Sequence, residues 1–105
     1  MKNLIFCSAA FHIPSCDNTL RENEYLFCLK QLKRMIPNNF DIVVCDNTVN
    51  NIENIQNQEL KQELLSVSFM ILQRNIGSQN IGMGELDQLI FVSQNIDFSQ
   101  YDKIV

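Results

Sequence analysis

The segment FDIVVCDNT, residues 40–48, decides how this chain folds. Its apolar run from Ile42 to Cys45 shows no polar alternation, which is typical of a strand that is buried on both faces of a parallel sheet. The run ends in Asp46, which is followed by two small polar residues. In open α/β sheets, ligands bind outside the carboxyl ends of the strands. We therefore predict that Asp46 lies at the centre of a binding site.

The segments around this strand alternate between strand and helix patterns. The sequence predicts strands at residues 4–10, 40–45, 67–72 and 102–105, and helices at about 19–36, 50–64 and 84–95. This β-α-β-α-β-α-β order predicts an α/β fold in which helices cover both faces of a mainly parallel sheet, a three-layer α/β/α arrangement. The 105 residues are enough for one domain, spanning 1–105.

Two of the predicted helices carry patterns that specify their orientation. Thr19 followed by Glu22 fits a capping box, in which the hydroxyl and the carboxylate each bind a backbone N–H group of the first turn. In the last helix, Glu85 and Asp87 are expected in the first turn, where the helix dipole favours acidic side chains. The residues of that helix expected to face the core are Leu86, Leu89, Ile90 and Phe91.

The composition excludes several classes of protein. The net charge of −4 argues against a general nucleic-acid binder, which normally has a basic face. No apolar run approaches the roughly 20 residues of a membrane span, so we expect no transmembrane segment and a soluble, cytoplasmic protein. The four cysteines form no CxxC pair, which favours reduced, structural thiols over a zinc or redox site.

Two common nucleotide-binding motifs are missing from the sequence. A dinucleotide site needs G-x-G-x-x-G directly after the first strand, and residues 8–12 contain no glycine. A phosphate-binding P-loop needs Gly-Lys-Ser or Gly-Lys-Thr, and the chain contains neither. These observations argue against binding of NAD and against a P-loop nucleotide triphosphatase.

Several candidate residues have both a functional and a structural interpretation. Asp46 could instead close an Asx-turn with the residues that follow it. Gly82-Met83-Gly84 offers backbone N–H groups that suit an anion, but glycines in a loop commonly serve only to permit a turn. His12 is the only histidine, and its context favours a loop residue in contact with solvent over a catalytic base.

The order and spacing of these segments resemble the nucleotide-binding N-terminal half of the family 2-like GT-A glycosyltransferases. The first strand runs through Ala10-Phe11 into a short loop, and a helix bearing Gln31 follows. The second strand closes on Asp46-Asn47-Thr48. The third strand ends in the Asn-x-Gly pattern Asn75-Ile76-Gly77, which recurs at Asn80-Ile81-Gly82 before the next helix.

The resemblance implies a binding site for the nucleotide of a sugar donor, most typically UDP-linked. In that arrangement Phe11 lies near the base, and Asp46 contacts the uracil or the ribose. Asn75 and Gly77 border the nucleotide pocket. The implied nucleotide-binding residues are Ala10, Phe11, Asp46, Asn75, Gly77 and Gly84. On this interpretation, Asp46→Ala weakens binding of a uridine nucleotide and leaves the fold intact.

The resemblance also implies a reaction, the transfer of a hexosyl group from the nucleotide sugar to a glycan or lipid-linked acceptor in polysaccharide biosynthesis. In the family, the fourth strand leads into an Asp-x-Asp motif that holds Mn²⁺ or Mg²⁺, and this sequence stops at Val105 without that motif. We therefore expect the N-terminal part of a longer transferase, located in the cytoplasm or at the membrane periphery. Alone, the 105 residues would contain neither catalytic nor metal-binding residues and would be inactive.

A second class of function is also compatible with the sequence. The chain could be a non-catalytic α/β module that binds a nucleotide or a partner protein. Such a module would expose an uncovered edge strand, through which we would expect it to self-associate.

Overall fold

Four strands and three helices alternate along the chain, as the sequence predicts. The computed structural model describes residues 2–75 and 80–105. Within these residues, no helix is both long enough and apolar enough to cross a membrane. Short 3-10 helices at Ile52–Asn54 and Phe98–Gln100 join the main elements. These elements are β1 (Lys2–Ala9), α1 (Asn18–Met35), β2 (Phe40–Asp46), α2 (Gln58–Leu65), β3 (Ser68–Ile71), α3 (Ile81–Asn95) and β4 (Tyr101–Ile104).

All four strands form one parallel sheet in the order β3-β2-β1-β4. Helices α1 and α2 pack on one face of the sheet and α3 packs on the other. The predicted three-layer α/β arrangement is therefore confirmed. Strand β2 lies beside β1, and β3 lies beside β2 on the same side, whereas β4 pairs with the other side of β1. The strand order therefore reverses between β1 and β4.

Strand β2 contributes to both halves of the core. Ile42 and Val44 pack with α1 and α2, whereas Val43 and Cys45 pack with the cluster beneath α3. All four side chains are buried. Because burial of one such aliphatic side chain contributes roughly 1.5–3 kcal/mol, this unbroken apolar run fixes β2 in the centre of the sheet. The prediction of a strand buried on both faces is confirmed.

The helices begin at Asp and Asn side chains that accept from backbone N–H groups. Asp17 caps α1, Asn57 caps α2 and Asn80 caps α3. The predicted capping box of Thr19 and Glu22 is wrong, because Asp17 already accepts the N–H groups of the first turn. The second helix is also shorter than predicted, since α2 starts only after the Asn57 cap.

Helix α3 is oriented differently from the prediction. Leu86 and Ile90 were expected in the core, but they are 47% and 46% exposed. The polar residue Gln88 is buried instead, together with Val92. The helix also begins at Ile81, three residues earlier than predicted, so its first turn contains no acidic residue. Apolar spacing alone allowed more than one inward face, and contacts with the sheet decide between them.

The four cysteines divide into two groups. All are free thiols, and Cys7 and Cys45 lie within strands, whereas Cys16 and Cys28 are exposed. Burial, reinforced by the charges of Asp46 and then Asp87, raises the pKa of Cys45 to about 12. The thiol of Cys45 therefore behaves as a small apolar side chain. The structural interpretation holds for the strand cysteines and does not extend to Cys16 and Cys28.

Candidate functional site

The carboxyl ends of β1, β2 and β3 lie side by side at one edge of the sheet. Ala9, Asp46 and Ile71 are register neighbours across the three strands. Helix α3 reaches the same edge, since Gln88 Nε2 donates to the carbonyl oxygen of Ala9 at 3.0 Å. This edge adjoins the reversal of strand order between β1 and β4, which is the usual position of ligands in open α/β sheets. It is therefore the candidate functional site.

Asp46 is completely buried at this edge, and both of its carboxylate oxygens are engaged. Oδ1 accepts the backbone N–H of Phe11 at 2.8 Å and the hydroxyl of Thr48 at 2.9 Å. Oδ2 accepts the backbone N–H groups of Thr48 at 2.7 Å and Val49 at 2.8 Å. The bond from the Thr48 N–H, two residues after Asp46, forms the Asx-turn that the sequence offered as the structural interpretation of Asp46. The carboxylate joins the loops that follow β1 and β2.

The loop after β1 is held by side chains of α1. The N–H of Ala10 donates to the Tyr25 hydroxyl at 3.0 Å, and its carbonyl oxygen accepts from Arg21 Nε at 3.0 Å and Nη2 at 2.6 Å. Phe11 is buried, with its ring edge-on to Tyr25 at 4.9 Å between centroids and 6.0 Å from Phe69. Phe11 therefore anchors the loop in the core.

His12 and Glu22 form a pair that the sequence interpretation missed. His12 Nε2 lies 2.7 Å from Glu22 Oε2, and the Glu22 side chain is only 1% exposed. Glu22 Oε1 accepts the backbone N–H groups of Gln56 at 3.0 Å and Asn57 at 2.8 Å. The signal that could have revealed this role was a glutamate on the core side of α1. The capping-box pattern offered a local explanation and concealed it.

Arg74 and Asp87 form an ion pair between the end of β3 and α3. Arg74 Nε lies 2.9 Å from Asp87 Oδ2, and Nη2 bonds to Oδ1, which gives the parallel geometry typical of arginine–carboxylate pairs. Hydrogen bonding and charge from Arg74 hold the pKa of Asp87 below its usual range. The Arg74 side chain is 62% exposed. Its remaining N–H groups therefore give this edge a cationic feature.

The other predicted site residues lie near this edge in different environments. Asn75 is exposed, and Gly77 lies outside the described residues. Gly84 is buried, and its N–H donates to the carbonyl oxygen of Asn80 at 3.0 Å. The expectation that the Gly84 N–H is free to bind an anion is therefore wrong, because α3 begins at Ile81 and includes this N–H in its own hydrogen bonding.

Gln88 is a further residue that the sequence did not identify. It is 2% exposed, accepts from the Ser8 hydroxyl at 2.5 Å and donates to the Ala9 carbonyl oxygen. Both polar ends of this buried amide are thus satisfied by β1. The side chain fixes the first turns of α3 against the end of the strand.

The described residues do not form a ligand set for a metal. Across residues 2–75 and 80–105, no group of three or more His, Cys, Asp or Glu side chains is arranged to hold a metal ion. The metal implied by the family resemblance therefore has no fitting ligands in this part of the chain. What the edge offers chemically is hydrogen bonding from a held imidazole, an exposed amide and a partly paired guanidinium.

Comparison with known proteins adds no relative. No protein-family model, no curated protein and no solved structure matches this chain. The resemblance to GT-A glycosyltransferases consequently stays a prediction, and the residues and geometry above carry the functional argument.

Proposed function

We propose that this chain binds the nucleotide of a UDP-linked sugar as part of a glycosyltransferase-like domain that transfers a sugar to a glycan or lipid-linked acceptor. The observation that carries the proposal is the parallel sheet in the order β3-β2-β1-β4, with its reversal beside β1. A sheet of this kind opens a crevice at the carboxyl ends of its strands. Ala10, Phe11 and Asp46, which belong to the segments that carry the glycosyltransferase resemblance, lie at that edge.

Within this proposal, the predicted residues divide into contacts and supports. We expect Asn75 and the exposed face of Arg74, which follow β3, to contact the nucleotide diphosphate. Asp46 and Phe11 support the site from beneath, because the carboxylate and the ring are buried against the loop. The backbone at Ala10 is fixed by Tyr25 and Arg21. A loop held in this way loses little conformational entropy when a ligand binds.

Binding of UDP tests the proposal directly. We expect saturable binding of UDP by isothermal titration calorimetry and no comparable binding of ADP. Asn75→Ala should weaken UDP binding by about threefold to tenfold, since it removes a polar contact at the edge. Asn38→Ala is the matched control, because Asn38 is also exposed but precedes β2 at the opposite edge of the sheet. Absence of UDP binding, or equal losses in the two variants, would contradict the proposal.

A second candidate, a protein-interaction module, is favoured by one specific observation. Met83, Leu86 and Ile90 form an apolar stripe on α3 at helical spacing, and each is close to half exposed. Strands β3 and β4 are the outer strands of the sheet that the described residues form. Exposed apolar side chains beside open strand edges favour association between copies of a chain.

Sedimentation velocity over a wide range of protein concentration distinguishes this candidate. A module that acts by self-association should form dimers at higher concentration, and the double substitution Leu86→Lys with Ile90→Lys should return it to a monomer. The matched control is Leu65→Lys with Leu20→Lys, two exposed leucines outside α3. A wild-type chain that stays monomeric throughout would eliminate self-association as its function.

A further inference from the structure

The imidazole of His12 is held at one ring nitrogen by a buried carboxylate. Glu22 Oε2 lies 2.7 Å from His12 Nε2, and Glu22 Oε1 accepts the N–H groups of Gln56 and Asn57. Three hydrogen-bond partners therefore surround a side chain that is 1% exposed. This arrangement suits an ionised carboxylate, which only accepts hydrogen bonds.

The backbone of His12 is held independently of its ring. Its N–H donates to Thr48 Oγ1 at 2.9 Å, and the Thr48 hydroxyl in turn donates to Asp46. The imidazole is consequently fixed from both sides within the loop that follows β1. That loop borders the candidate site, so His12 occupies a constrained position at the ligand-binding edge of the fold.

The carboxylate also determines which ring nitrogen carries the hydrogen. Because Glu22 can only accept, a neutral imidazole must donate from Nε2, and Nδ1 is left with its lone pair. Among residues 2–75 and 80–105, the contacts of His12 run through its backbone N–H and Nε2, and Nδ1 is not among the polar atoms buried without a partner. The His12 side chain is 23% exposed. The chain thus presents a fixed hydrogen-bond acceptor at this edge.

We propose that His12 Nδ1 accepts a hydrogen bond from the N3–H group of a uracil base, with Glu22 as the positioning residue that sets this polarity. The inference rests on the proposed function and specifies how the nucleotide is chosen. Uracil carries a donor at N3, whereas cytosine carries an acceptor there. An acceptor facing cytosine N3 would leave two lone pairs opposed and unpaired, which disfavours binding.

The tautomer can be measured without a ligand. His12 is the only histidine, so protein labelled with ¹⁵N-histidine gives a single imidazole in NMR spectra. At about pH 8.5, where ordinary imidazoles are neutral, we expect the hydrogen on Nε2 and a resonance for Nδ1 typical of an unprotonated nitrogen. Addition of UDP should shift the Nδ1 resonance. A hydrogen on Nδ1 in the free protein would overturn the inference, whatever the protein binds.

The substitution Glu22→Gln reverses the polarity of the pair. The glutamine oxygen can still accept from Gln56 and Asn57, while its amide group donates to His12 Nε2 and moves the imidazole hydrogen to Nδ1. We expect UDP binding to fall by about tenfold or more and the preference for UDP over CDP to be reduced or inverted. Glu24→Gln, an exposed position on the same helix, is the matched control and should leave that preference unchanged.

A second variant keeps the test decisive if Glu22→Gln does not fold. In His12→Lys, the ammonium group can still donate to Glu22 but offers no acceptor in place of Nδ1, so the preference for UDP over CDP should be lost. If wild-type protein binds UDP and CDP equally, or if His12→Lys retains the preference, the inference fails and the proposed function survives. Equal binding would assign the ligand's contacts to the ribose or diphosphate, and a retained preference would assign the choice of base to other groups. If wild-type protein binds no UDP, both fail together.

Discussion

Replacement of Asp46 by alanine is expected to lower the free energy of unfolding by at least about 3 kcal/mol, because it leaves three backbone N–H groups without their acceptor. These N–H groups belong to Phe11, Thr48 and Val49. A loss of this size is a large fraction of the roughly 5–15 kcal/mol that stabilises an ordinary domain. Urea unfolding followed by circular dichroism measures it.

Asp41→Ala is the matched control for this substitution. Asp41 lies on the same strand, but its carboxylate is partly exposed and binds Lys2 at 3.2 Å and Tyr101 at 2.9 Å. Exposed pairs of this kind contribute about 1 kcal/mol or less. Equal and small losses in the two variants would show that the Asp46 carboxylate is not holding the loops.

The same geometry changes what Asp46→Ala can reveal about ligand binding. The sequence interpretation expected weaker nucleotide binding with the fold intact. With Asp46 buried and four hydrogen bonds donated to it, a loss of binding would follow from disruption of the loop after β1. Exposed residues at the edge, such as Asn75, are therefore the better probes of the ligand.

Phe11→Ala is expected to cost about 3–5 kcal/mol of stability, the usual range for removal of a buried aromatic ring. The ring is 1% exposed and contacts Tyr25 and Phe69, so its loss leaves a cavity between α1 and the sheet. Thermal or urea unfolding gives the difference from wild type. Phe11→Leu, which retains most of the volume, should cost much less.

Phe27→Ala provides the matched control for the loss of a phenylalanine ring. Phe27 is 64% exposed on α1, and its substitution should change stability by no more than about 0.5 kcal/mol. A Phe11→Ala protein as stable as Phe27→Ala would mean that the Phe11 ring is not part of the core.

The sequence could predict where in the fold the candidate site lies, but not which side chains form its contacts. Asp46 lies at the carboxyl end of β2 and Asn75 follows β3, as the sequence predicts. The roles of Glu22 and Gln88 were not predicted, because their partners lie far away in sequence, at residues 56–57 and 8–9. A local sequence pattern such as the capping box cannot predict hydrogen bonds between residues that become neighbours only in the folded chain.

The amino-acid sequence was sufficient to predict the alternation of strands and helices and the burial of β2 on both faces. Those features follow from short-range properties, namely the unbroken apolar run of residues 42–45 and the periodicity of the flanking helices. Only the folded chain shows that Asp46 joins two loops, that Glu22 holds His12, and which face of α3 is buried. Each of these depends on buried polar groups finding hydrogen-bond partners that are distant in sequence, since an unpaired polar group in the interior is too costly to retain.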